Sequence, residues 1–298
     1  MAEQSKIEWT THTGNLWHGC THAGIGCLHC YAEVLSKRWG RDIWGNDKPR
    51  MAIKSVWNDF KRYQKMAADA GEIHRVFVGS MMDIFEKPMP VVDSKGNKIM
   101  LDDMDEEGMN TGDMRNQFFN LVVPACPNLM FLLLTKRPSN INRYIPDSWK
   151  ENPPANVMFG TSPVNQQTAD KLIPQLLQVK GRHFLSVEPQ LGEIVLDNRY
   201  LKEWCPEHDM PSGGCTHSQH KDKSMFTKID WVICGGESGG HKRPFDAAWA
   251  RLIRDQCKEA GTPFFMKQID KVQEIPKDLE IKQYPPILKR IFSLRELI

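Results

Sequence analysis

The chain has 298 residues, of which 40% are hydrophobic and 26% charged, with a formal net charge of +2. This describes a globular chain long enough for one large α/β domain with an insertion. It argues against a membrane protein, since no stretch approaches the roughly 20 apolar residues of a span. The balanced charge neither requires nor excludes nucleic acid, because a local basic cleft can coexist with a near-neutral total.

The first nine residues, Met1 to Trp9, are polar and carry no apolar signal core, and the chain has eight cysteines. Together these predict a reducing, cytoplasmic setting in which thiolates ligate metals rather than pair as disulfides. Strands are predicted at 15–18, 75–79, 129–135, 157–161, 183–187, 231–234 and 263–266. Several are apolar almost throughout, such as Met130 to Leu134 and Trp231 to Cys234, as strands covered on both faces of a parallel sheet are. Between them, Asn165 can cap a helix with Ala169, Leu172, Ile173, Leu176 and Leu177 on one stripe. Asp246 can cap another, with Trp249, Leu252, Ile253 and Cys257 in register and Gly261 as its stop. Two stretches break the alternation: an acidic excursion over 88–112, before a helix near 114–121, and a polar insertion over 195–228. Cys126, Cys234 and Cys257 read as buried apolar residues.

The expected class is therefore α/β, a partial (β/α) barrel of mostly parallel strands with a Cys/His-rich insertion. Residues 1–194 form the first part of the barrel, 195–228 the insertion, and 229–298 the end of the barrel and a tail. In such a barrel the site lies at the C-terminal ends of the strands, where the polar motifs of this chain fall.

The most specific motif is the glycine-rich stretch carrying Cys20, Cys27 and Cys30, followed at once by Tyr31. Three thiols on one loop, with no fourth cysteine nearby, can hold three corners of a metal cluster and leave the fourth open. Thiolates suit iron–sulfur clusters and zinc, not magnesium or calcium. Zinc needs a fourth ligand, and His18, His22 or His29 can supply it.

The ending Cys27-Leu-His-Cys30-Tyr31 resembles the radical SAM superfamily, whose cysteine loop closes on Cys-x-x-Cys and an aromatic. The first gap is six residues, where the commonest form has three. In this the chain is similar to a phage-associated branch related to spore photoproduct lyase. The wider pattern agrees: Gly79-Ser80-Met81-Met82-Asp83, Leu134-Thr135-Lys136-Arg137-Pro138, Gly160-Thr161-Ser162-Pro163, Ser186-Val187-Glu188-Pro189, Cys234-Gly235-Gly236-Glu237-Ser238, Arg243-Pro244 and Phe264-Phe265-Met266-Lys267-Gln268.

The resemblance implies a 4Fe–4S cluster on Cys20, Cys27 and Cys30 whose open iron is chelated by S-adenosylmethionine. One electron from a donor protein would cleave the sulfonium, and the resulting 5′-deoxyadenosyl radical would abstract hydrogen from a substrate. Tyr31 is expected against adenine. Ser80, Lys136 and Ser162, each following a strand, suit the methionine moiety, Lys136 for its carboxylate and the hydroxyls for amine or ribose. Asp83 is expected either to accept from the methionine amine or to anchor Arg137. Glu188 can bind ribose hydroxyls or substrate, or pair with a neighbouring arginine.

Glu237 with Arg243 reads as a substrate-facing pair, and Lys267 joins them as a catalytic candidate. The glycine-rich loop around Glu237 lacks the spacing of a phosphate-binding fingerprint. In the insertion Cys205, His208, Cys215, His217 and His220 offer ligands for a structural zinc, against the plainer reading of a polar loop. Lys37, Arg38 and Arg41 around Trp39 mix basic and aromatic character, as a groove for DNA or RNA does, although Trp39 also fits a helix stripe. The leading expectation is a radical SAM-type enzyme of a bacterium or phage-infected host, acting on nucleic acid or a modified nucleotide. Two alternatives stand beside it: a zinc-dependent nucleic-acid-binding protein without radical chemistry, and a non-catalytic regulatory barrel.

Overall fold

The computed structural model describes residues 5–100, 107–202, 204–205, 210–211, 228–238 and 241–285. Among these, seven strands form one parallel sheet in sequence order: β1 (His12–Gly14), β2 (His74–Val78), β3 (Leu129–Thr135), β4 (Val157–Thr161), β5 (Arg182–Val187), β6 (Trp231–Gly235) and β7 (Phe264–Gln268). The fold is the expected one, an α/β partial barrel. No helix among the described residues is long and apolar enough to cross a membrane. The chain divides into two compact units, Met1–Lys150 and Glu151–Ile298.

In the first unit, β1 pairs with β2 (His12 opposite Val76) and β2 with β3 (His74 opposite Leu129). Almost every side chain of β3 is buried, as its unbroken apolar run requires. Helix α1 (Tyr31–Arg38) follows the cysteine loop, and α2 (Val56–Ala70) packs Val56, Phe60, Tyr63 and Ala67 inward at helical spacing. Phe60 and Phe118 meet Phe131 of β3 edge-on, with ring centroids 5.7 and 5.1 Å apart. The helix expected near 114–121 is α3 (Thr111–Gln117), continued by a wider turn over Phe118–Val122 that brings Phe118 and Phe119 into the core.

The first strand departs from expectation. The sheet takes His12–Gly14, whereas Trp17–His18 turns away and pairs antiparallel with Arg50–Ala52 in a small separate sheet. Between them lies Asn15, whose side-chain amide bonds to the Ser80 hydroxyl and the Met81 amide after β2. A further strand of the small sheet, Val91–Val92, comes from the stretch read as an acidic excursion.

In the second unit, β4, β5, β6 and β7 pair in succession, with Met158 opposite Arg182, Trp231 opposite Phe184 and Val232 opposite Phe264. Helix α4 (Gln166–Leu177) starts at the predicted cap: the Thr168 amide donates to the Asn165 side chain at 3.0 Å. Helix α5 (Ala247–Ala260) begins at Asp246 and stops at Gly261, whose φ of 70° is the left-handed closing turn that glycine adopts freely. Of the expected stripes, Ala169, Ile173 and Leu176 in one helix and Ile253 and Cys257 in the other are buried, joined by Ala250, while Leu172, Leu177, Trp249 and Leu252 are only half-buried. Cys126, Cys234 and Cys257 are buried, as read from the sequence.

At Gly160 the Phe184 ring lies so close that a methyl group would sit 2.4 Å from it. Gly160→Ala is therefore expected to destabilise the protein by about 1–3 kcal/mol through overpacking. Asn165→Ala, which removes only a cap, is expected to cost about 1 kcal/mol. Urea unfolding followed by circular dichroism checks both, and a Gly160→Ala loss well below about 1 kcal/mol would contradict the packing argument.

Candidate metal and cofactor centre

In the first unit the three sulfurs are carried by a loop with very little secondary structure, a single turn over Ile25–Cys27, before Cys30 caps α1. Cys20, Cys27 and Cys30 are free thiols, each half-buried. The Ala23 amide lies 3.5 Å from the Cys27 sulfur. Burial raises the Cys30 thiol above its usual value, while the Glu33 and Ala32 amides at the start of α1 and the Lys136 ammonium pull it down. Burial, helped by the Asp83 and Glu86 carboxylates, pushes the Cys20 thiol far up, and the Arg137 guanidinium opposes this.

Arginine side chains organise the loop. Arg50 is fully buried and forks onto Glu86, with Nη2 2.6 Å from Oε1 and Nε 3.0 Å from Oε2. Its remaining donors reach the carbonyls of Ile43, Lys48 and Gly45 and the Thr21 hydroxyl. The Gly45 amide in turn donates to the Cys20 carbonyl at 3.0 Å.

Arg137 follows β3 and lies beside Asp83, with Nη1 2.8 Å from Oδ2. Nη2 donates to the Thr21 carbonyl at 2.5 Å, and Nη1 lies 3.9 Å from the Cys20 sulfur. Asp83 also accepts from the Thr135 hydroxyl at 2.7 Å, the Phe85 amide at 3.0 Å and the Lys136 amide at 3.2 Å. Of the two roles open to Asp83, the one seen is the anchoring of Arg137.

Ser80 is held from two sides. Asn15 Nδ2 donates to its hydroxyl at 2.8 Å, and the Tyr31 hydroxyl donates to its carbonyl at 2.6 Å. The Met81 amide donates to Asn15 Oδ1 at 2.8 Å, and the Gly19 amide to the Met81 carbonyl. The Tyr31 ring itself stands half out of the protein, at 51% exposure. Among the described residues the Lys136 ammonium has no hydrogen-bond or ion-pair partner. Asn15, Thr21, Arg50, Glu86 and Thr135 belong to this arrangement and were not singled out from the sequence. Glu86 and Arg50 are far apart in the chain, and nothing local to either marks the pairing.

Two of the loop's three candidate histidines, His18 and His22, have partners of their own. His22 Nε2 lies 2.6 Å from Glu33 Oε2, and His18 stacks near Trp39 with Arg41 3.4 Å from its Nδ1. Among the described residues no three His, Cys, Asp or Glu side chains are gathered around a point that one metal ion can fill. A cubane cluster spreads its ligands over the corners of an inorganic core. Three soft thiols, with the Arg137 guanidinium 3.9 Å from the Cys20 sulfur and the Lys136 ammonium near enough to lower the Cys30 thiol, fit such an anionic group in donor type and charge.

The second unit places Glu188, Lys267, Glu237 and Arg243 at the C-terminal ends of its strands. Glu188 Oε1 pairs with Lys267 Nζ at 2.7 Å, and the Ser186 hydroxyl donates to Oε2 at 3.2 Å. The partner of Glu188 is thus a lysine rather than an arginine. Glu237 takes the Arg243 side chain on both oxygens, at 2.7 and 3.0 Å, and its backbone amide at 2.9 Å. This pair closes its own loop. Gly236 lets the loop backbone approach β7, where a methyl group would come within 2.1 Å of the Ile269 carbonyl.

The Ser162 hydroxyl, just after β4, is buried without a hydrogen-bond partner among the described residues. A groove of about 730 Å³ lined by Arg254, Lys258, Thr262, Phe264 and Asp278 lies at the opposite, N-terminal end of β7 and holds none of the predicted residues. In the insertion, Cys205 belongs to a two-residue strand, while His208, Cys215, His217 and His220 lie outside the described residues.

Fold and site together define an α/β partial-barrel protein with a thiol-bearing loop braced by two arginine–carboxylate pairs. The chain belongs to the family described as "Protein of unknown function (DUF5131)", whose model matches residues 4–283. No curated protein and no solved structure matches the chain.

Removing the Asp83 carboxylate strips Arg137 of its counter-charge at a site where both are largely buried. Asp83→Ala is expected to cost about 3–5 kcal/mol, as for one half of a buried ion pair. Asp83→Asn, which keeps hydrogen-bonding oxygen and shape, is expected to cost less. Denaturant midpoints of the two variants measure the difference, and a loss under about 1 kcal/mol for Asp83→Ala would show the pair to be a surface-like contact.

Proposed function

We propose that this protein is a radical SAM-type enzyme, with Cys20, Cys27 and Cys30 as ligands of a 4Fe–4S cluster. The observation that carries the reading is the pairing of three free thiols on one loop with two cations from the end of β3. When bound, the cluster with S-adenosylmethionine supplies the one-electron cleavage that generates a carbon radical.

The chain's own residues bind and orient. Burial raises the Cys20 and Cys30 thiols above their usual range, and a thiol gives up its proton when it ligates a metal, so loading is coupled to deprotonation. Lys136, lacking a partner among the described residues, offers its ammonium to the carboxylate of the methionine moiety. Tyr31 is held to the Ser80 carbonyl with its ring turned outward, as an adenine-contacting aromatic requires. The orphaned hydroxyl of Ser162 suits a ligand that completes its hydrogen bonding. Asp83 holds the Arg137 guanidinium and the Thr135 hydroxyl beside the cysteine loop.

The substrate class we infer is nucleic acid or a modified nucleotide. Supporting it is the half-exposed Trp39, with the Arg41 guanidinium 5.0 Å from its ring centroid, next to Lys37 and Arg38. A structural zinc in the insertion, a cytoplasmic setting and a one-electron donor protein belong to the same proposal.

Anaerobic reconstitution tests the reading. The expected product is a brown protein with about four irons and four sulfides per chain, lost in Cys30→Ala. On reduction it should release 5′-deoxyadenosine and methionine from S-adenosylmethionine, with DNA and RNA each tested as substrate. Colourless protein carrying stoichiometric zinc at residues 20–30 would overturn the proposal in favour of a zinc-dependent binding protein. An intact cluster that never cleaves the cofactor would favour a regulatory barrel.

A further inference from the structure

We propose that Arg137 is the positioning residue for Cys20, fixing that sulfur as a cluster ligand and tuning the cluster's electronics; the inference rests on the cluster reading above. The gap of six residues after Cys20 leaves this cysteine remote from the Cys27–Cys30 pair in sequence, so its place depends on contacts outside the loop. Cys30 is set by the start of α1, and Cys27 lies one turn before it. Cys20 has no such element.

Arg137 replaces it with a fork. Nη2 holds the Thr21 carbonyl, one residue past the sulfur, while Nη1 points at both the Cys20 sulfur and Asp83. The fork is itself held on two sides. Asp83 fixes Nη1, and the Arg137 amide donates to the Thr135 hydroxyl at 2.9 Å, itself bonded to Asp83. A planar guanidinium reaches three partners at once, which an ammonium does not. A donor aimed at a ligand sulfur, with a positive charge behind it, stabilises the reduced and more negative state of an iron–sulfur centre.

The test uses Arg137→Gln and Arg137→Lys in the full chain, with Arg143→Gln as a control on an exposed arginine. The first readout needs no cluster. In metal-free protein, alkylation by iodoacetamide is followed by peptide mass spectrometry for Cys20 and Cys27 separately. The expected result is that Cys20 reacts several-fold more slowly than Cys27 in the unmodified protein and in Arg143→Gln. In Arg137→Gln the two rates, each divided by the thiolate fraction taken from its own pH dependence, should converge, with Arg137→Lys between.

The second readout is the reduction potential of the reconstituted cluster, followed by electron paramagnetic resonance. It should move to a more negative value in Arg137→Gln and partly return in Arg137→Lys. Unchanged Cys20 protection in Arg137→Gln, or an unchanged potential in a cluster that forms normally, overturns the inference. Should Arg137→Gln fail to fold, Arg137→Lys carries the same comparison. If the unmodified protein takes up no cluster yet the alkylation rates converge on substitution, the functional reading fails while the positioning of Cys20 stands.

Discussion

Two buried arginine–carboxylate pairs, Arg50 with Glu86 and Arg137 with Asp83, determine where the cysteine loop lies. The stretch between β1 and α1 has almost no ladder of its own, and a glycine-rich chain of that kind has much conformational freedom to lose on ordering. The guanidinium groups supply the missing partners by binding carbonyls of the loop and of the segment facing it. Burying four charges is costly unless every donor and acceptor is matched. Here Arg50 uses all of its forks and Asp83 accepts four hydrogen bonds. The energy of these pairs goes into specifying one loop geometry more than into net stability.

That geometry has a chemical consequence. A loop of three thiols near the carboxylates of Asp83 and Glu86 alone would resist ionisation, and both burial and those carboxylates push the Cys20 thiol up. Arg137 and Lys136 reverse part of the effect, so that negative charge is tolerated where metal binding would create it. The second unit repeats the theme with the Glu188–Lys267 and Glu237–Arg243 pairs, in which carboxylates at strand ends are neutralised by cations of the same unit.

Six of the strands were legible because apolar runs such as Met130 to Leu134 and Trp231 to Cys234 have few alternatives to a doubly covered strand. The caps at Asn165 and Asp246 were legible because side-chain chemistry and the following stripe agree. The first strand was displaced because His12, Thr13 and Gly14 are neither apolar nor β-branched as a set, while the Trp17 side pairs with Arg50–Ala52 instead. The cysteine loop announced itself by spacing, and the coupling of Asp83 to Arg137 was among the roles foreseen. Arg50, Glu86 and Asn15 were not, since each acts across the fold and carries no local signature. Glu237 and Arg243 were foreseen as a pair, and the structure joins them through two side-chain hydrogen bonds.

The most direct measurement is the electron paramagnetic resonance spectrum of the anaerobically reduced, reconstituted protein, recorded with and without S-adenosylmethionine. The account predicts a cluster signal whose g-values change when the cofactor is added, because three protein thiols leave one iron open to it. A cluster signal indifferent to the cofactor, or no signal from protein in which all three cysteines are intact, would contradict it.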